Sequence, residues 1–421
     1  MKMFRKNASL MISSTTILRL STVLSSVTSL SACILLSSFL SVPVVFSQLK
    51  TEGRVHNSAP ARPHSGPAAD IDSVTAAIYN YKFDEAFRVA DRMIASKPDE
   101  PYGYFYKSMI YWEIFRSRGA TEGGAEPPDS VSARFQHLIE KSIELSEAKI
   151  DADGNDIEGL FYYGGALGYR ARYEGMKGNW FSAASDGANS RKYLERVVAM
   201  DSTRFDAYLG IGAFDYYASH VPWFLKPISF LFGLNGREDD AMRELKMAVK
   251  SGTYARAEAA EFLAVTVYMS KGMWPDALEV LAGLHTEYPL NPGFARNLCI
   301  VLYKMNDYPA AVRFADSTLG TYSAGGPDYM FNTGYMRILR AMSNLKLKTN
   351  YRSAVTDCGE VISAGQPEFL IPWAYYIRGA IFAEWNLKEE AASDFETVLR
   401  MKDFDSSRSR AEQALDSLKR R

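Results

Sequence analysis

Five stretches of this chain are written to one plan. They are YKFDEAFRVADRMIASKP (81–98), GMWPDALEVLAGLHTEYP (272–289), NDYPAAVRFADSTLGTY (306–322), TNYRSAVTDCGEVISAG (349–365) and NLKEEAASDFETVLRMK (386–402). Each opens on a turn residue followed by an aromatic or apolar one, then sets an alanine at a fixed helical point: Ala86, Ala277, Ala311, Ala354 and Ala391. The last four alanines stand 34, 43 and 37 residues apart. A small side chain lets two helices approach closely, and the 3.6-residue period keeps each stretch's apolar stripe on one side. A unit of this kind cannot bury its stripe alone, so the spacing predicts stacked helix pairs. Strand signals are almost absent. The expectation is an all-α solenoid.

The units at 258–291, 292 onward and 372 onward narrow that expectation. In the first, Tyr268, Ala277, Leu281 and Pro289 supply a large aromatic, a small residue, a bulky residue and a terminating proline, with Val265 at the small first-helix site. The second carries Leu298, Leu302 and Ala311, with Cys299 at the small site, and the third Gly379, Phe382, Ala391 and Phe395. These units resemble the tetratricopeptide repeat (TPR) family. The resemblance implies a right-handed α-solenoid of about eight helix pairs, running over 70–421 and closed by a polar-faced capping helix at 406–420. Segments 101–150, 156–203 and 205–253 also read as helix pairs, each longer than a standard unit.

The departure is sharpest after Leu209-Gly210. This pair resembles the start of a TPR first helix and predicts a small residue near 222, yet the alanine comes at Ala241, 19 positions later. The extra chain, HVPWFLKPISFLFGLNGRED (220–239), is aromatic and nearly uncharged. It is too short to cross a bilayer and too apolar for a surface loop. It reads best as a plug folded onto the array, since lack of polar–apolar alternation makes it a poor interfacial helix. The region around 205–270 also resembles a eukaryotic TPR family that includes a yeast inclusion-body clearance protein.

The first 47 residues carry Lys2, Arg5, Lys6 and Arg19, no acids, and an uncharged run from Ser21 to Ser47. Val45 and Ser47 suit a signal-peptidase site, so 1–47 is expected to be an export signal, with residues 20–46 as a retained membrane anchor the alternative. Leu30-Ser31-Ala32-Cys33 resembles a lipobox, although Ile34–Phe46 stays apolar where a lipoprotein turns polar. Residues 48–69, rich in Pro, Ala, Ser and Gly, are expected to be a flexible tether. The protein is thus expected in the periplasm or cell envelope. Past residue 47 the chain holds 44 basic and 49 acidic residues, a net −5, with no basic stripe. That balance argues against nucleic acid as a partner.

The residues form no catalytic or metal-binding pattern. The histidines His56, His64, His137, His220 and His285 show no ligand spacing, Gly233–Gly236 lacks the Lys-Ser/Thr of a phosphate loop, and no nucleophile elbow occurs. Asp151–Asp156 resembles a calcium loop but has Asp156 and Tyr162 where that loop needs Gly and Glu, so it reads as a capped turn. Cys299 and Cys358 read as small buried side chains. No cofactor and no metal are implied.

What the TPR resemblance implies is a concave groove lined by first helices. It places Phe262, Met269, Arg296, Tyr303, Lys304, Trp373, Tyr376 and Glu384 there, a set suited to a peptide or helix of a protein partner. Tyr216, Tyr217, His220 and Trp223 form a second candidate site. The expected function is a non-catalytic scaffold or adaptor. Two rivals stay open: a membrane-anchored protein acting at the membrane surface, and a small-molecule-binding or enzymatic solenoid, whose mark would be a closed polar-lined pocket.

Overall fold

The computed structural model describes residues 67–118, 129–221, 236–322, 327–365, 367–404 and 406–420. All lie in one of two compact units into which the chain divides, Leu49–Arg421; the other, Met1–Gln48, lies outside the described residues. So do the signal-peptidase site, Cys33 and most of the tether. The first helix begins at Pro67, inside the stretch expected to be tether. Proline suits a helix start because its missing N–H costs nothing there.

Among the described residues there are seventeen α-helices and no strand. Sixteen form eight successive pairs: α1 (Pro67–Tyr79) with α2 (Phe83–Ser96), α3 (Pro101–Ser117) with α4 (Asp129–Ala152), α5 (Ile157–Met176) with α6 (Trp180–Met200), and α7 (Ala207–Ser219) with α8 (Glu238–Ser251). The fifth first-helix is α9 (Arg256–Glu261), continued as a π-helix over Phe262–Met269, and its partner is α10 (Trp274–Glu287). Then come α11 (Pro292–Lys304) with α12 (Tyr308–Tyr322), α13 (Pro327–Leu347) with α14 (Tyr351–Ala364), and α15 (Ile371–Glu384) with α16 (Lys388–Arg400). The capping helix is α17 (Ser407–Arg420), which buries Ala411 and Leu415. The chain is a TPR-like solenoid, as its repeat pattern implies. The elongated units are also present: α4 has 24 residues, α5 20 and α6 21, against 13 in α11 and α16.

The alanines that carry the pattern are all sealed: Ala86, Ala277, Ala311, Ala354 and Ala391 are each no more than 1% exposed, and Ala241 joins them. Gly210 shows how tight these contacts are, since a Cβ there would stand 2.3 Å from Leu194 Cδ1. The turn at Asp151–Asp156 is a cap, with Asp156 accepting from the Gly159 N–H at 2.6 Å. Cys299 and Cys358 are buried, free thiols, and burial pushes Cys299 up to about 12 and Cys358 higher still. They act as apolar filler. The core of the 220–239 insertion, residues 222–235, lies outside the described residues.

One regularity escaped the sequence. Three units clamp their two helices with the same fork: Arg170 to Asp186, Arg340 to Asp357 and Arg378 to Asp394. In each, Nε and Nη2 donate to the two carboxylate oxygens at 2.6–2.8 Å. The partners stand 16 or 17 residues apart, so the fork belongs to the repeat.

Candidate functional site

In a linear array each repeat touches only its neighbours. Here the N-terminal helices reach units far along the chain. Arg118, at the end of α3, pairs with Asp328 of α13 at 2.9 Å. The Tyr79 ring of α1 packs against Tyr288 and Phe294, and Tyr81 lies edge-on to Tyr329. First helices of several units therefore converge, and the inner face of the later units is covered by α1 and α3.

Where they meet, the packing turns polar. Arg116 Nη1 donates to Glu113 Oε1 at 2.8 Å and to Glu261 Oε2 at 3.1 Å, while Nη2 pairs with Glu261 Oε1. A second knot sits beside it: Glu258 accepts from Tyr169 Oη and from Arg172 Nη1, each at 2.6 Å. The Arg172 guanidinium lies over the Trp112 ring, 5.0 Å from its centre. Glu113, Glu258 and Glu261 are all buried. Burying a carboxylate is costly unless a cation and hydrogen bonds meet it, and here three carboxyls draw on two arginines, Glu113 and Glu261 sharing Arg116.

Between these groups lies a cavity of about 20 Å³, lined by Tyr81, Glu113, Arg116, Glu261, Asn291, Gly293, Arg296 and Asn332. That is room for one water molecule, and too little for a metabolite. Asn291 is committed to capping α11, accepting from the Gly293 and Phe294 N–H groups. Asn332 is 2% exposed, and its Oδ1 has no hydrogen-bond donor.

The two carboxyls on Arg116 have been driven apart. Burial, opposed by Arg116 but reinforced by Glu261 and Glu258, pushes Glu113 up to about 7. Burial also works against charge on Glu261, but the Arg116, Arg172 and Arg296 guanidiniums outweigh it and hold that group below the ordinary carboxylate value. Tyr79, Tyr81 and Tyr169 are pushed up, chiefly by burial, and stay neutral. One carboxyl able to take a proton near neutrality therefore sits beside one that stays ionised.

The expected groove residues fall elsewhere than on an open surface. Phe262, Met269, Arg296, Tyr303 and Trp373 are buried. Arg296 enters the central cavity, bonds Asn297 Oδ1 through Nε at 3.2 Å and stacks over Phe331 and Tyr335. Trp373 is covered by Arg410 of the capping helix. Lys304 is half-buried against the Trp274 ring, and Tyr376 is half-buried, edge-on to Trp373. Glu384 alone of the eight is exposed, pairing with Lys348 at 3.7 Å. The physical reason is the closure itself: the inner face expected to receive a partner is covered by the chain's own helices.

In the second set, Tyr216 is buried, with Oη donating to the Thr266 carbonyl at 3.0 Å. Tyr217 is half exposed, and the His220 ring lies 4.3 Å from that of Tyr216. Trp223 lies outside the described residues. Phe262 sits edge-on to both tyrosines, so the structure joins one member of the groove set to the second site.

Sequence reading missed the central residues. Their signal was charge inside apolar first-helix runs, Tyr-Trp-Glu-Ile-Phe at 111–115 and Ala-Glu-Ala-Ala-Glu-Phe at 257–262. A charged residue at such a position needs a buried partner. No cluster of three or more His, Cys, Asp or Glu side chains able to hold a metal occurs among the described residues. No helix among them is long and apolar enough to cross a membrane.

No family model matches this chain, and no curated protein matches it. Among solved structures it is similar to a chain in the crystal structure of the APC/C hetero-tetramer Cut9–Hcn1, at 13% identity and TM-score 0.49, covering 83% of this chain and 54% of that one. This chain thus spans about half the length of that relative. Yeast Tom70 follows at 10% identity and TM-score 0.39, covering 84% and 88% of the two chains. Human IFIT1, in a dimer with m7Gppp-AAAA, aligns at 10% identity and TM-score 0.41, covering 83% and 80%.

Proposed function

We propose that this solenoid is a non-catalytic scaffold of the cell envelope, exported by its N-terminal segment, which binds a peptide or helix of another protein. The observation that carries the reading is where apolar surface remains. Of the nine large exposed apolar side chains among the described residues, six stand at turns between first and second helices, Met176, Trp180 and Phe181 at α5–α6, Leu347 at α13–α14, Trp385 and Leu387 at α15–α16, with Met200, Tyr217 and Met330 elsewhere. At the C-terminal units they adjoin, with Tyr351 edge-on to Trp385 and the Lys348–Glu384 pair beside them. Aromatic anchors flanked by charges suit a helix or extended peptide, the rings supplying affinity and the charges register. Contiguous apolar surface of this kind marks interaction sites.

The docking face is therefore the edge around Leu347, Tyr351, Glu384, Trp385 and Leu387, and not the inner groove. The test is affinity isolation of the tagged full chain from its native cells after mild crosslinking, repeated with Trp385→Ala/Leu387→Ala and with Tyr376→Ala. A recurring protein partner lost by the edge variant and kept by Tyr376→Ala supports this reading. Loss only in Tyr376→Ala returns the site to the inner face. Recovery of membrane material alone, resistant to high salt, would replace the scaffold with an anchored protein.

A further inference from the structure

The central polar cavity has a defect that one proton would repair. Glu113 Oε1 and Glu261 Oε2 both accept from Arg116 Nη1, and Glu261 Oε1 accepts from Nη2, so two buried carboxyls share one guanidinium. In the lining of the same cavity the buried Asn332 Oδ1 lacks any donor. A neutral Glu113 carboxyl leaves a single anion on that guanidinium and adds an O–H to a cavity in which an acceptor is unmet. The cavity's 20 Å³ has room for the one water that could carry the bond across. Glu113 lies on α3, Glu261 on α9, Arg296 on α11 and Asn332 on α13, so the repair bears on the contact between the N-terminal helices and the later units.

We propose that this cavity is a proton-binding site that clasps the solenoid: with Glu113 protonated, α3 is held against α9, α11 and α13, and with Glu113 ionised the contact loosens. The groups facing Glu113 come from every packed element: Arg116 from its own helix, Glu258 and Glu261 from α9, Arg296 from α11, Tyr79 and Tyr81 from α1 and the turn after it, Tyr169 and Arg172 from α5. Tyr79, Tyr81 and Tyr169, pushed up by burial, hold their protons throughout this range, as do Arg116 and Arg172, raised by the carboxylates beside them. Glu261, held low, titrates in a separate and more acidic window.

The sign follows from linkage. Glu113 binds its proton more tightly in the closed state, near 7 against an ordinary 4.5. Stability from this group is full below the ordinary value, is lost as pH rises toward about 7, and is level above it. The loss approaches about tenfold in the opening equilibrium per pH unit across that window. The clasp is independent of which partner the outer edge binds.

The experiment is amide hydrogen exchange of the full chain across this pH range, corrected for intrinsic rates. Protection of α3 and α9 should fall on the order of a hundredfold between the ordinary carboxyl value and neutrality, while α16 stays constant. Glu113→Gln, neutral at every pH and still a donor, should hold high protection throughout. Glu244, also raised to about 7 by burial beside Asp215, serves as the control: Glu244→Gln should leave the exchange profile of α3 unchanged. Should Glu113→Gln fail to fold, carboxyl-carbon NMR of the otherwise unaltered Glu244→Gln chain decides instead. A glutamate titrating near neutrality supports the clasp, and its absence overturns it. So does a pH-independent α3 in the wild type, or an unchanged pH dependence in Glu113→Gln.

Discussion

At the residue scale the protein relies on charged groups placed where charge is expensive. The Arg378–Asp394 fork illustrates the balance. Asp394 is buried, and its two oxygens are met by Nε and Nη2 at 2.8 Å. Removing the arginine leaves a buried anion with no cation, whereas removing both charges leaves none to solvate. Arg378→Leu is expected to cost roughly 2–4 kcal/mol, measured by urea unfolding. Arg378→Leu/Asp394→Leu should recover most of that loss. Equal losses in the single and double variants would mean that packing, and not desolvation, sets the cost. The repeated alanines were legible in the sequence because a small buried residue has a period. The fork was not, because one arginine sixteen residues from one aspartate is ordinary in any helical chain.

At the element scale the turns between first and second helices share a backbone device. Tyr81, Gly178, Gly272, Asn306, Lys348 and Asn386 all adopt positive φ between 49° and 79°, as does Asn350. Glycine and asparagine pay little for this conformation, and other side chains pay about 1 kcal/mol. Lys348, whose ion pair with Glu384 is solvent-exposed, is the clearest misfit. Lys348→Gly is expected to raise stability by about 0.5–1 kcal/mol, read as a higher urea midpoint at unchanged slope. Another long-range cap holds the middle units, where the longest departures from the repeat occur. Asp206 at the start of α7 accepts from the backbone N–H groups of Thr253, Tyr254 and Ala255, each at 2.8 Å, and so fixes the turn into α9. Sequence patterning placed these elements but could not foresee that α9 continues as a π-helix over Phe262–Met269.

At the scale of the whole molecule the array is closed and not linear. Among the described residues three large apolar clusters run along it, an N-terminal one from Ile71 to Tyr173, a middle one including Tyr79 and Tyr216–Val301, and a C-terminal one from Ala295 to Ile381, with two smaller ones around Leu194 and Phe395. The charged centre lies where helices of the first cluster meet the later units. A linear repeat protein tolerates loss of terminal units, because each stabilises only its neighbour. Here deletion of residues 67–118 would strip α1 and α3 from the interior and leave Glu258, Glu261 and Arg296 facing an unfilled space. The shortened chain is expected to aggregate or to melt far below the intact one by circular dichroism. Deletion of α15–α17 should be milder. Comparable melting of the two truncations would show that closure adds little.

The sequence by itself determined the helix pairs, their number, the capping helix and the burial of the small residues, because local periodicity and turn chemistry are written within each unit. It also marked the long middle units, since insertion lengths are countable. What only the tertiary structure decided is which faces meet. The repeat resemblance assigns Arg296, Phe262 and Tyr303 to an inner wall, but whether that wall is open depends on the accumulated rotation of eight units, a sum of small angles that no single unit encodes. Closure drew Arg296 of the expected groove into a buried polar centre, brought Glu113 beside Glu261 across 148 positions, and left most of the large exposed apolar side chains at the turns.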